Sequence, residues 1–454
     1  VLGSGVAFLD STVVNVALPT IARDLHSGLT DLQWISDAYL LTLGAFIVLG
    51  GSLGDRLGRR RMFVLGLAAF TAASVVCGLA PSTIVLIAAR AVQGIGGALL
   101  VPGSLAIISA CFVPQDRARA VGLWSGMSGV TTAAAPFVGG WLVDSVSWRA
   151  IFFINVPLAA AAITVAMRHV PESRDETATG SIDFTAAVLI SVGLAGVVYA
   201  LIDGPANGWS TVTVAAGIVG AVLLVAFPFF EARHRNPMIP LRIFRSRQFS
   251  GANLTTLAVY AALSVTIFLL VLHLQQDLGY SALQAGIAFL PASVLLIFLS
   301  SRAGALAQRI GAQVPMTLGP IIAAGGLLLL SGIRPHDGYL SAVLPGVLVF
   351  GVGLTLTVAP LTAAVMAAVD VHHLGVGSAI NNATARIGGL LAVAVVPGLA
   401  GLSAASSHLA GVSLTDGFTA TMRISAGLLV AGGLLAAATI RRVAPADEVS
   451  PAAA

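Results

Sequence analysis

Apolar runs of about twenty residues follow one another along the whole chain, each bounded by charge or by a cluster of Pro and Gly. At ~1.5 Å per residue such a run crosses a hydrocarbon layer of ~30 Å, so each reads as a membrane-spanning helix. The runs fall at roughly 1–19, 35–54, 62–80, 84–109, 120–143, 150–168, 184–203, 211–230, 250–274, 283–303, 314–333, 340–367, 374–402 and 418–440. The pattern therefore predicts fourteen spans. Backbone groups in lipid must be paired within the element, and the ~10-residue alternating segments of a barrel are absent. The expected fold class is an all-α polytopic membrane protein.

Composition narrows the possible functions. Of 454 residues, 57% are hydrophobic and 9% charged, against ~25% charged in a soluble domain. The 23 basic residues, all arginine, and 19 acids leave a formal +4, too thin and scattered for a nucleic-acid partner. No HExxH, GxSxG, P-loop or metal-spaced Cys/His set is present. No enzyme activity, cofactor or metal is expected, and the His372-His373 pair reads as solvated. Cys77 and Cys111 fall near opposite ends of adjacent spans, too far apart for a disulfide. No cleavable signal peptide is visible, and the first span would itself direct insertion.

Arginine placement orients the spans. With the N-terminus inside, Arg56, Arg59, Arg60, Arg61, Arg117 and Arg119 and the arginines of segment 231–248 all face inward. Only Arg23, Arg149, Arg334 and Arg423 face outward, while Arg90 and Arg386 stay within spans. Both termini are expected in the cytoplasm of a bacterial inner membrane. The stretch Gly51-Ser-Leu-Gly-Asp55-Arg56-Leu-Gly58 returns as Gly304-Ala-Leu-Ala-Gln308-Arg309-Ile-Gly311, 253 residues later and after a span running the same way. That is a parallel repeat of two six-helix halves. The expected organisation is an N-terminal bundle at 1–170, two extra helices and a cytoplasmic linker at 171–248, a C-terminal bundle at 249–442, and a tail at 443–454.

The loop Gly51-x-Leu53-x-Asp55-Arg56-x-Gly58-Arg59-Arg60-Arg61 combines small residues for a tight approach with an acid among arginines. Asp55 can pair with a loop arginine or approach a helix N-terminus in the other half. Gly51, Asp55, Arg56, Gly58 and Arg59 are thus candidates for a conformational latch, which Gln308 in place of the acid weakens in the second half. Asp10 lies in the first span and Arg90 about 9 Å into the fourth at ~1.5 Å per residue. Charges at such depths are costly and point to function. Asp10 could instead sit exposed near the outer end, and Arg90 could snorkel to the interface. Gly126, Gly129, Ala133, Pro136 and Gly140 recur at steps of three and four, a small-residue stripe with a bend at Pro136.

The Gly51–Arg61 pattern resembles the signature loop of the major facilitator superfamily. Leu9-Asp10-Ser11-Thr12 through Asn15 to Pro19, Trp34-Ile35-Ser36-Asp37-Ala38-Tyr39, Trp148-Arg149 with Phe152-Phe153-Ile154-Asn155-Val156-Pro157, and Gly279-Tyr280-Ser281 to Pro291 are similar to its fourteen-span drug:proton antiporter branch. The resemblance implies a major facilitator fold and proton-coupled export of amphipathic drugs by alternating access, with protonation at Asp10 and a role for Arg90 in proton transfer by tuning an acid such as Asp10. The Pro136-Phe137-Val138-Gly139-Gly140 segment resembles the antiporter motif of export members, with Ala135 where Gly normally precedes the proline. Asp37, Asn15, Gln93, Asn381 and Arg386 are candidate cavity residues, Arg386 being equally readable as structural. Asp24, Asp31, Asp144, Asp203, Asp277, Asp337 and Asp416 read as solvated loop charges. Scarce central acids favour monovalent cations or neutral lipophiles as substrates. The expected partners are a small amphipathic substrate, protons and the bilayer, with the protein acting as a monomer. Export of one endogenous metabolite or lipid is the alternative, and a membrane enzyme a remoter one.

Overall fold

The computed structural model describes residues 2–112, 114–174, 184–233, 241–369, 374–402 and 413–440. Among these residues the regular elements are all helical: α1 Leu2–Leu25, α2 Leu29–Leu57, α3 Arg59–Leu79, α4 Thr83–Cys111, α5 Pro114–Ser145, α6 Ala150–Phe153, α7 Asn155–His169, α8 Phe184–Asn207, α9 Thr211–Arg233, α10 Arg247–Gln276, α11 Ala282–Ala288, α12 Leu290–Ile310, α13 Gln313–Leu330, α14 Leu344–Ala367, α15 Leu374–Leu399 and α16 Leu414–Thr439. Thirteen helical stretches among the described residues are long and apolar enough to cross a membrane. The 32-residue α5 occupies the place of the fifth predicted span. The His372-His373 pair, Arg441, Arg442 and the tail lie outside the described residues.

Several ends differ from the hydropathy reading, each for a local reason. α1 runs through Pro19 to Leu25, because one missing N–H does not stop a helix held on all sides by neighbours. α2 starts at Leu29, six residues early, where the Asp31 carboxylate accepts the Gly28 N–H at 2.9 Å. The sixth span jogs at Ile154, between α6 and α7. Pro157 cannot donate to the Phe153 carbonyl, so the turn before it loosens. Pro291 does the same to the Ile287 carbonyl, which accounts for the break between α11 and α12 at Phe289. Ser281 and Gln284 form a capping box at the start of α11, with bonds of 3.2 and 2.9 Å.

α2 packs on α15, α5 on α11 and α12, and α1 on α10 and α11, so the first six spans meet the last six at several helix pairs. The predicted insert, α8 and α9, packs on itself and lays α8 across both α2 and α15. Val198 and Ile202 of α8 cluster with Leu390 and Ala394 of α15 and with Leu40 and Leu41 of α2. The extra hairpin thus covers the outside of one seam. α9 leaves Val212, Ile218, Val219, Val222 and Val225 exposed, as a lipid-facing helix must.

Candidate functional site: a buried ion pair and the seams between halves

α1 brings Asp10, fully buried, opposite Arg90 of α4, 2% exposed. Arg90 Nη1 donates to Asp10 Oδ2, and also to Gln93 Oε1 at 2.7 Å. Its Nε donates to the Ile35 carbonyl at 3.2 Å, and the guanidinium stacks 4.3 Å over the Tyr39 ring of α2. Arg90 and Gln93 share a helix face because they are three residues apart. Gln93 Nε2 donates to Asp10 Oδ1 at 2.9 Å, and Asn155 Nδ2 of α7 donates to the same oxygen at 3.1 Å. Asn155 also reaches Ser74 Oγ of α3 at 2.9 Å, and that hydroxyl donates to the Phe152 carbonyl at 2.9 Å. A carboxylate accepts only, and here three side chains donate to it. Asp10 is the hub of a network drawn from α1, α3, α4 and α7.

This geometry decides between readings the sequence left open. Asp10 is not exposed, and Arg90 does not snorkel but is sealed by its counter-charge. Gln93, expected in the cavity, belongs to the ion-pair network. Ser74 and Asn155 carried no assignment from sequence, although a lone amide in the apolar 150–168 run was a usable signal.

The other cavity candidates lie elsewhere. Asn15 is half-buried on α1 and its Nδ2 reaches the Ser11 carbonyl at 3.4 Å. Asp37 is fully buried on α2, and neither carboxylate oxygen has a hydrogen-bond partner among the described residues. One turn earlier, Gln33 Nε2 donates across to the Val393 carbonyl of α15 at 2.6 Å. Asn381 of α15 donates to Asn253 Oδ1 and Thr256 Oγ1 of α10 at 3.2 and 2.8 Å. Arg386, half-buried on the same helix, lays its stem against Gly44 of α2.

The antiporter-like helix serves two neighbours. A Cβ at Gly139 would stand 3.4 Å from Val13 Cα of α1, whereas one at Gly140 would stand 2.6 Å from the Ala282 carbonyl oxygen at the start of α11. A Cβ at Gly286 of α11 would meet the Pro136 carbonyl carbon at 2.8 Å. The surroundings of Gly126 and Gly129 lie outside the described residues. One turn beyond Gly140, Asp144 Oδ1 and Oδ2 accept the Ala282 and Leu283 N–H groups at 3.2 and 2.8 Å. Gln275 Nε2 of α10 adds a bond to the Val16 carbonyl of α1 at 2.9 Å. These contacts, with Gln33 to Val393, join the halves at the end where α1 stops and α2 starts.

Asp144, an exposed residue of α5, is therefore solvated but also holds the start of α11. Asp24 also has partners, accepting from Trp148 Nε1 at 2.8 Å, as does Asp277, which accepts from Thr415 Oγ1 and pairs with His273 Nδ1, each at 2.8 Å. Asp203 accepts from Thr213 Oγ1 at 3.0 Å, and Asp31 caps α2. A carboxylate near a helix end finds N–H and O–H donors on neighbouring elements that hydropathy cannot foresee.

At the opposite end, Asp55 pairs with Arg59 at 2.7 Å, the loop-arginine option. Gly58 separates α2 from α3 at φ 115°, a conformation that disfavours other residues. Glu172, absent from the sequence reading, accepts the Arg60 and Arg61 N–H groups at 3.1 and 3.2 Å and so caps α3. Gly51 faces Pro102 of α4, and Arg56 lies in the last turn of α2. Among the described residues no group of three or more His, Cys, Asp or Glu is placed to hold a metal.

Residues 1–393 match the family model described as Major Facilitator Superfamily. The chain is 37% identical over 397 residues to a multidrug resistance protein, Stp, of Mycobacterium tuberculosis, covering 87% of this chain and 73% of the relative. It is 35% identical to a tetracenomycin C resistance and export protein of Streptomyces glaucescens, over 86% and 72% of the two chains. Its fold superposes on the crystal structure of an auto-inhibited POT family peptide transporter with a TM-score of 0.71, over 99% and 98% of the chains at 16% identity.

Proposed function

Because the chain belongs to the major facilitator superfamily, and is thus a transporter and not an enzyme, we propose that it exports amphipathic compounds by proton-coupled alternating access. The relatives' names, multidrug resistance and tetracenomycin C export, support a drug or antibiotic cargo. The observation that carries the coupling is Asp10, a fully buried carboxylate whose counter-charge is on another helix.

A proton on an Asp10 oxygen cancels the charge that Arg90 faces and turns an acceptor into a donor. Arg90, Gln93 and Asn155 must then re-pair, and since they sit on α4 and α7, these helices shift against α1. One proton taken from outside and released inside would exchange for cargo moved outward, with segments 1–170 and 249–442 rocking as units. In this reading both termini are cytoplasmic, so the end sealed by Asp144, Gln275 and Gln33 is the outer one and the cavity opens inward. The Asp55–Arg59 pair at the inner end is then a latch engaged within its own half, in a protein working as a monomer.

The test is efflux from proteoliposomes under an imposed pH gradient, comparing the native chain with Asp10→Asn. Gradient-driven efflux should vanish in the variant, while exchange of labelled cargo without a gradient persists. Efflux indifferent to the gradient in the native chain removes the coupling. The second reading, one dedicated metabolite, is favoured by the tetracenomycin C relative; a compound panel giving a single transported structure would select it.

A further inference from the structure

Two arginines lie deep within spans, and they are treated oppositely. Arg90 is enclosed by Asp10, Gln93 and the Ile35 carbonyl. Arg386 makes no hydrogen bond and no ion pair with any described residue. Its Cβ lies against Gly44, where a Cβ would stand 3.4 Å away, so the stem is held at the α2–α15 seam between the halves. The guanidinium is within electrostatic reach of Tyr39 of α2 and Tyr260 of α10, neither of which is a counter-ion. Asp37 does not serve as one, since neither of its carboxylate oxygens has a hydrogen-bond partner among the described residues.

An arginine at this depth requires a carboxylate, a carbonyl or water. With no described carboxylate or carbonyl on it, the half-buried Arg386 stands where α15 of one half meets α2 of the other, which on the transport reading is the path of the cargo. Five N–H donors in a planar fork match an oxyanion bidentately, and they gain most when water is displaced by a charged oxygen pair. Asn382, one turn earlier on the same face, already donates to the Ser378 carbonyl at 3.1 Å, so the fork is the strongest free donor set on this helix face.

Building on the transport reading above, we infer that Arg386 recognises cargo, and that the preferred substrates are apolar scaffolds bearing one acidic oxygen group, a carboxylate or an acidic enol or phenol. This revises the composition-based expectation of monovalent cations or neutral lipophiles. While Asp10 is ionised, its pair with Arg90 contributes no net charge to oppose an anion, and Arg386 contributes one that attracts it.

Binding to the purified full chain in nanodiscs tests this without transport, using the fluorescence of pyrenebutyrate, its primary amide and pyrenebutyl-trimethylammonium. The native chain should bind the carboxylate about tenfold more tightly than the amide, the scale of a charge-assisted bond. Arg386→Gln should abolish that preference and leave amide binding within about twofold, and Arg386→Lys should keep part of it. Equal or tighter binding of the amide or the ammonium by the native chain overturns the inference, as does a carboxylate preference that survives Arg386→Gln. Failure of all three probes to bind overturns it as well. Loss of gradient-driven efflux in vesicles bears separately on the transport reading, since no probe in this assay is transported.

Discussion

Asp10 and Arg90, eighty residues apart in sequence, form a buried ion pair that joins α1 to α4. Removing the acid leaves a buried guanidinium uncompensated, which costs about 3–5 kcal/mol. Asp10→Asn should therefore lower the thermal unfolding midpoint in detergent by several degrees. The double variant Asp10→Asn/Arg90→Gln should recover much of the loss, because no charge remains unpaired, while gradient-driven efflux stays absent. A single variant as stable as the native chain would contradict the pairing.

Asp37 should behave in the opposite way. Its two oxygens meet no donor, so Asp37→Asn breaks no hydrogen bond and should change stability by no more than about 1 kcal/mol. The same unfolding measurement distinguishes the two acids. A destabilisation equal to that of Asp10→Asn would reveal a partner for Asp37.

The Asp144 carboxylate across the α5–α11 seam is a helix cap supplied by the other half. Losing a cap costs about 1 kcal/mol, roughly a fivefold change in a two-state population. Asp144→Ala should shift that population toward the state open at this end. Spin labels at the exposed positions Val146 and Ile287 should report more of the longer distance, and an unchanged distribution would remove Asp144 from the closure.

Gly140 is where the same seam tolerates no side chain, since a Cβ would lie 2.6 Å from both the Ala282 carbonyl oxygen and the Leu283 Cα. Backbone atoms cannot swing aside as a flexible side chain can. Gly140→Leu should hold α5 and α11 apart, lengthen the same spin-label distance and lower efflux severalfold. Gly427→Ala, at a position with nothing within 4 Å, should leave both readouts near native values.

Gly58→Ala combines two costs. The residue sits at φ 115°, and a Cβ would stand 2.6 Å from Glu172 Oε1, disturbing the carboxylate that caps α3. Together these should destabilise the chain by about 1–3 kcal/mol. Thermal unfolding checks this, and Glu172→Gln at unaltered Gly58 should show the smaller, cap-only part.

The helices and their order were legible from the amino-acid sequence because a bilayer imposes one length and one polarity on every span. Asp10 and Arg90 stood out for the same reason, as charges where charge is costly. Their partnership came only from the family resemblance, and the parts played by Ser74 and Asn155 did not stand out, because hydroxyls and amides are cheap enough in a helix to leave at most a weak local trace. The partners of Asp24, Asp144 and Asp277 were not legible, because hydropathy records what precedes and follows a residue, not which helix end arrives beside it. Gly139 and Gly140 looked like parts of one tight-packing segment, yet neighbouring positions on a helix point about 100° apart, so they meet different helices. Arg386 was visible as a charge but ambiguous in role; only the packing of α15 against α2 and α10 left it without a counter-ion among the described residues. Span length and charge cost are properties of each segment in lipid, whereas hydrogen-bond partners are properties of pairs, and pairs exist only once the helices have packed.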